Sequence, residues 1–378
     1  MTTEENKIQV SKKKSAKTTQ YYSLQNILSC KAHYNVVFGE RSNGKTFACL
    51  ERGIKKAFTG KGTMAILRRW DTDISNFNCR EMFAGINEGG FVPQWTNGVY
   101  QQIVYKNSCW YFAKVNSKKE VIPEKEPIAH AFALTKVEHY KSISFPNVST
   151  IIFDEFIAMG AYLPDEFKIF TNMLSTIIRD RTGVEIFMCG NTVNRYCPYF
   201  KNMGLTHVKD QKPGEIHTYK FGEDGLKIAV EYTLPNVKGK KSDVYFAFDD
   251  PKVKMITNGE WELDVYPGLP ENYNREQIVF TYFIVFDDEI FQCEVIEGKY
   301  ELFTYIHKKT TPIKNENEDL VYSTEYSNRP NYRRNLYRPI SKTDKKLYEF
   351  FRKGKVFYQD NLCGDTVKNY MIWCRDEA

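Results

Sequence analysis

Three observations predict an α/β fold: a P-loop domain with a mostly parallel sheet, followed by a smaller mixed domain. An apolar run feeds a glycine-bent loop and then a helix-like stretch. Strand-like and helix-like segments alternate from residue 34 to 189, which is the pattern of a parallel sheet covered by helices. The pattern dissolves between 235 and 274, and a run of strands resumes after it. At 378 residues, with 42% hydrophobic and 15% aromatic content, the chain can bury a core in each of two domains.

Met1 to Thr19 is rich in Lys, Ser and Thr, contains Lys12-Lys13-Lys14, and reads as a mobile basic arm over 1–19. A first domain is expected over 20–235. Its segments are Tyr34 to Phe38, Phe47 to Phe58, Met64 to Arg68, Val148 to Phe153, Asp165 to Ile178 and Val184 to Cys189. Gly98 to Val115 looks like a hairpin insertion turning at Asn107-Ser108, and Glu215 to Phe221 with Leu226 to Thr233 extends the domain through the turn Glu223-Asp224-Gly225. The Gly, Pro, Asn, Asp and Lys content of 236–274 marks a linker. The second domain, 275–378, is expected to hold a three-strand antiparallel meander (Gln277 to Phe286, Ile290 to Ile296, Tyr300 to Ile306), a basic helix near Lys342 to Lys353, a short strand Val356 to Tyr358 and a last helix near Asp365 to Trp373.

Nine cysteines form no Cys-x-x-Cys pair and lack a His partner at zinc spacing, and no Ser/His/Asp constellation is evident. The longest apolar stretch, Ile278 to Phe286, is too short for a membrane span, and Met1 to Lys17 has no signal-peptide core. A soluble, reduced protein that is not exported is expected. Net charge is +6, but Arg329 to Lys355 carries ten Lys/Arg against Asp344 and Glu349, interleaved with Tyr332, Tyr337, Tyr348, Phe350 and Phe351. That mixture suits phosphate contacts with base stacking, and suits a solvated basic helix face equally well.

The loop Gly39-Glu40-Arg41-Ser42-Asn43-Gly44-Lys45-Thr46 is a phosphate-binding loop, because a strand delivers it and a helix leaves it, converging backbone N–H groups on one point. Gly39 and Gly44 permit the tight backbone, Lys45 can reach the β- and γ-phosphates of ATP, and the Thr46 hydroxyl can hold Mg²⁺. Asn43 is a further nucleotide contact expected from this loop, and Arg41 adds a charge close to the phosphates that could act as a local switch or merely form an ion pair with Glu40. Val148 to Phe153 ends in Asp154 and Glu155, where Asp154 would bind Mg²⁺ and Glu155 could polarise a water aimed at the γ-phosphate. Strand-end acids are often mere turn residues; the upstream loop is what gives this pair its meaning. Asn191, after Val184 to Cys189, could sense the γ-phosphate, or could serve a turn that tolerates positive φ. Leu174 to Arg181 closes with Arg179 and Arg181, which either complement a helix dipole or reach a neighbouring subunit's nucleotide; spacing does not choose between them. Tyr21, Tyr22 and Gln25 could meet adenine, although core packing explains the tyrosines, and Arg68-Arg69-Trp70 ends a strand facing DNA or the active site.

At these residues the chain resembles the DNA-packaging (encapsidation) ATPases of small protein-primed tailed phages. Pro146 to Ile157 resembles the family's second motif closely, and Cys197-Pro198-Tyr199-Phe200 its next one. The resemblance implies Lys45 and Thr46 for nucleotide and metal, Asp154 for Mg²⁺, Glu155 as catalytic base, and Arg179 as an arginine finger acting in trans, with Lys141 in the same intersubunit contact. It also implies a homo-oligomeric ring, typically of five subunits, at the capsid portal beside a structural RNA, driving double-stranded DNA inward in the host cytoplasm. The second domain would then resemble a ribonuclease-H-like nuclease that no longer cleaves. Asp287, Asp288 and Glu289 lie together at one turn, whereas a two-metal site needs carboxylates from separate strands. The family carries glycine where Ser42 stands. The competing expectations are a large terminase with an active nuclease, a cellular P-loop helicase, and a nucleic-acid-binding scaffold with a vestigial loop.

Overall fold

The computed structural model of the protein describes residues 22–158, 162–163, 165–192, 197–222, 225–234 and 266–376. The basic arm, Tyr21, residues 223 and 224 of the expected turn and most of the expected linker lie outside the described residues. The chain divides into two compact units, one holding most of residues 22–234 and the other residues 266–376. Among the described residues no helix is long and apolar enough to cross a membrane.

The first unit is α/β with a mostly parallel sheet. Its strands are β1 (Tyr34–Gly39), β2 (Thr63–Arg68), β3 (Gln102–Lys106), β4 (Cys109–Val115), β5 (Val121–Pro123), β6 (Ala129–Ala133), β7 (Val148–Asp154), β8 (Glu185–Asn191), β9 (Ile216–Phe221) and β10 (Leu226–Tyr232), with helices α1 (Lys45–Phe58) and α2 (Glu166–Ile178) among the connections. The order is β3-β4-β6-β2-β7-β8-β1-β10-β9, with β5 against β4. From β6 to β10 every pairing is parallel; β4 and β9 close the two ends antiparallel. The apolar runs of β1, β7 and β8 are buried along their length because helices cover both faces of a parallel sheet.

The hairpin forms at the expected turn, where Asn107 and Ser108 both take positive φ (51° and 60°), the geometry a two-residue turn requires. Residues 98–101 precede its first strand. β6 has no counterpart in the sequence reading, nor do the short helices Asn76–Glu81, Ala84–Glu88 and Phe91–Trp95 before the hairpin.

The register of the parallel strands prepares a site. β8 lies between β1 and β7, so Gly39 pairs with Asn191, Asp154 with Cys189 and Phe153 with Leu67. The carboxyl ends of four strands therefore bring the glycine-bent loop, the acids, Asn191 and Arg68 to one edge, where helix-delivered ligand sites of open α/β sheets form.

In the second unit the meander is the centre of a larger mixed sheet. β11 (Ile278–Phe286), β12 (Glu289–Glu297) and β13 (Leu302–Lys309) are antiparallel. β14 (Leu320–Ser323) adds parallel to β11, β15 (Tyr332–Arg333) parallel to β14, and β16 (Val356–Tyr358) parallel to β13. Leu347 of helix α3 (Lys342–Arg352) and Val367, Tyr370 and Cys374 of helix α4 (Asn361–Asp376) join Tyr282, Ile284, Cys293 and Ile306 in its core. Residues 266–274, expected as linker, pack here: Tyr266 against Tyr358, and the Tyr273 hydroxyl on Glu294.

Candidate active site

The loop after β1 turns through Gly39 (φ +152°) and Gly44 (φ +93°), which caps α1. Ser42 takes φ +62°. Serine here adopts the left-handed geometry that glycine provides freely, at a cost of about 1 kcal/mol or more.

Lys45, 5% exposed, sits inside this turn. Its Nζ donates toward Glu40 O (2.6 Å), Gly39 O (3.3 Å), Asn43 Oδ1 (3.3 Å) and Asn191 Oδ1 (3.2 Å). An ammonium has three donors, so four acceptors compete for it. Burial lowers its pKa to about 8, while nearby carboxylates, Asp154 among them, pull the other way. One residue along, the Thr46 hydroxyl donates to Asp154 Oδ1 at 2.7 Å. The contact joins residues 108 positions apart, both expected at Mg²⁺.

Glu155 follows with φ +58°, a left-handed break just past the strand end. Its carboxylate is about half exposed. Arg68, at the end of β2, spans the two acids: Nη1 lies 3.0 Å from Asp154 Oδ2 and Nη2 2.6 Å from Glu155 Oε2. A cation thus already stands between the carboxylates. Two hard oxygen ligands, the Thr46 hydroxyl and the Asp154 carboxylate, adjoin each other there, and that donor set fits Mg²⁺. Arg41, Asn43, Gly44, Lys45, Thr46, Asp154, Glu155 and Asn191 line one pocket of about 330 Å³, with Cys189 and Gly190 beneath.

Behind the acids lies a network that the sequence did not reveal. Arg69 Nε donates to Glu166 Oε2 (2.8 Å), and its Nη atoms donate to the carbonyls of Glu155 (3.2 Å) and Phe156 (2.8 Å). Glu166 also accepts from the Tyr199 hydroxyl (2.7 Å) and the Leu163 N–H (2.7 Å). The pair is almost fully buried, with side chains 7% and 0% exposed. Burial, then the charge of Glu166, pushes the Tyr199 phenol well up. Arg69 thereby fixes the backbone that carries Glu155, and Tyr199 is structural.

The other expected residues fall elsewhere. Tyr22 spends its hydroxyl on Glu231 (2.7 Å), and Gln25 is exposed on a short helical turn. Arg179 and Lys141 lie outside the pocket. α2 runs back from the acid edge, so its end meets the start of β7: Arg181 donates to the carbonyls of Ile177, Ile178, Pro146 and Val148, whereas exposed Arg179 donates to Ile143 O (3.1 Å). Lys141 is exposed and paired with Glu138 (2.6 Å). The seven residues of β7 separate this end from Asp154, roughly 20 Å at strand rise.

In the basic tract of the second unit, four of the five aromatic residues, Tyr337, Tyr348, Phe350 and Phe351, are partly buried against the core. Arg329 pairs with Glu316, Arg352 and Lys353 with Glu349, and Lys355 with Glu301. The aromatic residues alternate with charge because the helix is amphipathic.

Comparison with known proteins gives the same direction as these motifs. Residues 99–212 match a family model described as Podovirus DNA encapsidation protein (Gp16), a span that includes Asp154, Glu155, Arg179 and Asn191 but not the P-loop. A DNA packaging protein of Bacillus phage phi29 is 26% identical over 188 residues, 48% of this chain and 49% of that protein. One from Bacillus phage B103 is 26% identical over 244 residues, 59% of this chain and 69% of that protein. The chain spans about half the length of the phi29 relative. A solved structure of the bacteriophage phi29 viral genome packaging motor assembly superposes with a TM-score of 0.58 at 18% identity, over 95% of this chain and 99% of that one, which is a likeness of fold. The resemblance to podovirus encapsidation proteins is thus shown.

Proposed function

We propose that the chain is an ATP-hydrolysing motor that translocates double-stranded viral DNA into a preformed capsid, working as a ring at the portal in the host cell. The observation that carries this reading is the single edge where Lys45, Thr46, Asp154, Glu155 and Asn191 converge on a P-loop. The strand order β10-β1-β8-β7-β2, with the Asn191 strand between the loop and the acids, supports the additional-catalytic-glutamate class of P-loop enzyme. Mg²⁺, held by Thr46 and Asp154, would supply charge neutralisation for the transferring phosphoryl group.

The remaining work belongs to side chains. Lys45 binds the β- and γ-phosphate oxygens, exchanging some of its loop acceptors for them. Glu155 takes the proton of the attacking water, for which Arg68 must release its carboxylate. Asn191 is placed to orient the γ-phosphate. Because Arg179 stands at the opposite end of β7, it serves the site of an adjacent copy, with Lys141 on the same edge. Arg181, bound to four backbone carbonyls, is unsuited to that role.

The second unit we read as a nuclease-like nucleic-acid-binding domain without cleavage. The order β13-β12-β11-β14-β15, a meander followed by two parallel strands, supports a ribonuclease-H-like ancestry. Where β11 and β14 pair, Val285 faces Ser323 instead of carboxylates, and Asp287 and Asp288 form the hairpin turn with φ +55° and +56°. The resemblance further brings a five-membered ring and a structural RNA into this proposal.

ATP turnover by the purified chain with DNA tests the reading. Glu155→Gln should still bind ATP and lose turnover by about 10²- to 10⁴-fold, the usual worth of a general base. Turnover by Glu155→Gln equal to that of the unaltered chain would remove Glu155 from the mechanism.

A further inference from the structure

The P-loop is fastened from its far side by the last parallel strand. Gly39 lies so close to Thr233 that a Cβ placed on it would stand 2.1 Å from Thr233 Oγ1. Thr233 is buried and continues the β10 ladder, donating its N–H to Phe38 O at 2.9 Å. Its Oγ1 accepts from Asn43 Nδ2 at 2.6 Å, joining residues 190 positions apart. Asn43 is itself 4% exposed, and its backbone carbonyl accepts from Tyr22 N–H at 3.0 Å. An amide whose nitrogen is committed to a hydroxyl must present its oxygen to the other side, and on that side stands Lys45 Nζ at 3.3 Å.

We infer that Thr233 is a positioning residue for nucleotide binding: its hydroxyl fixes the rotation of the Asn43 amide, and the amide oxygen holds the Lys45 ammonium at the mouth of the loop. The inference rests on the nucleotide-binding reading. Without the Thr233 oxygen, the buried Asn43 NH₂ loses its acceptor, and the amide is free to rotate and carry its oxygen off the ammonium. Lys45 would keep Glu40 O, Gly39 O and Asn191 Oδ1, but would lose the acceptor that lies nearest it in the loop sequence.

The test is binding of a fluorescent ATP analogue, with Mg²⁺, to the full chain and to Thr233→Val, Thr233→Ser, Asn43→Ala and the double variant Asn43→Ala/Thr233→Val. Valine matches threonine in shape, so the contact with Gly39 is retained; melting midpoints check that each variant folds. Thr233→Val should weaken binding about tenfold, with the loss falling on the apparent KM more than on kcat, and Thr233→Ser should recover most of it. The double variant should bind no worse than Asn43→Ala, since both changes remove one device. Binding by Thr233→Val equal to that of the unaltered chain, a serine variant no better than valine, or additive losses would overturn the inference and leave the ATPase reading standing. Failure of the unaltered chain to bind any nucleoside triphosphate would overturn both.

Discussion

Lys45 concentrates the residue-scale chemistry, because a buried ammonium among carbonyl and amide oxygens is poised for an anion. Its pKa of about 8 in the nucleotide-free chain means that it loses its proton as pH rises through that value. A bound triphosphate favours the charged form and pushes the pKa back up. Affinity for ATP is therefore full below about pH 8 and declines above it, with up to one proton taken up per ATP bound on the alkaline side. Calorimetry near pH 8.5 in two buffers of different ionisation enthalpy should give different heats; equal heats would contradict a titrating Lys45. The residues of motif chemistry, Lys45, Thr46, Asp154 and Glu155, were legible because their spacing is fixed by the chemistry itself. Arg68 was legible as a strand-end cation facing DNA or the active site, without the acids it spans. Thr233 left no mark, since its partner lies 190 residues away and only strand register brings them together.

At the scale of the element, the loop after β7 depends on a buried ion pair that it does not contain. Arg69, from the end of β2, holds the carbonyls of Glu155 and Phe156 while Glu166, from the start of α2, neutralises it. Breaking such a pair leaves one charge buried alone, so Glu166→Ala should cost about 3–5 kcal/mol of stability. Chemical denaturation measures it, and a loss under about 1 kcal/mol would mean that the network is not what fastens the loop. Long apolar runs such as β1, β7 and β8 announced themselves, as did the hairpin, whose Asn107-Ser108 turn demands positive φ. β6, Ala-His-Ala-Phe-Ala, did not: small side chains give a weak hydrophobic signal, although the strand is buried between β2 and β4. β14 and β15 are four and two residues long, too short for any period, and exist because the outer edge of β11 is paired. The two arginines ending α2 were equivalent in sequence; the structure separates them, spending Arg181 on backbone carbonyls and leaving Arg179 exposed.

For the whole molecule, the crossover from β7 through α2 to β8 sets the acids and Arg179, the proposed finger, at opposite ends of one strand. A chain built this way cannot complete its own site with Arg179, and an assembly of copies in head-to-tail contact can. On the proposed function, that arrangement would make ATP hydrolysis an event shared between neighbouring copies. Subunit mixing tests it most directly: Arg179→Ala chains keep a sound acid pair and lack the finger, whereas Glu155→Gln chains lack the base and keep the finger. Each alone should be nearly inactive as an ATPase, and mixtures should regain part of the activity, because some interfaces then join an intact Glu155 to an intact Arg179. No recovery at any mixing ratio, with assembly of the mixed copies verified, would contradict a site completed in trans.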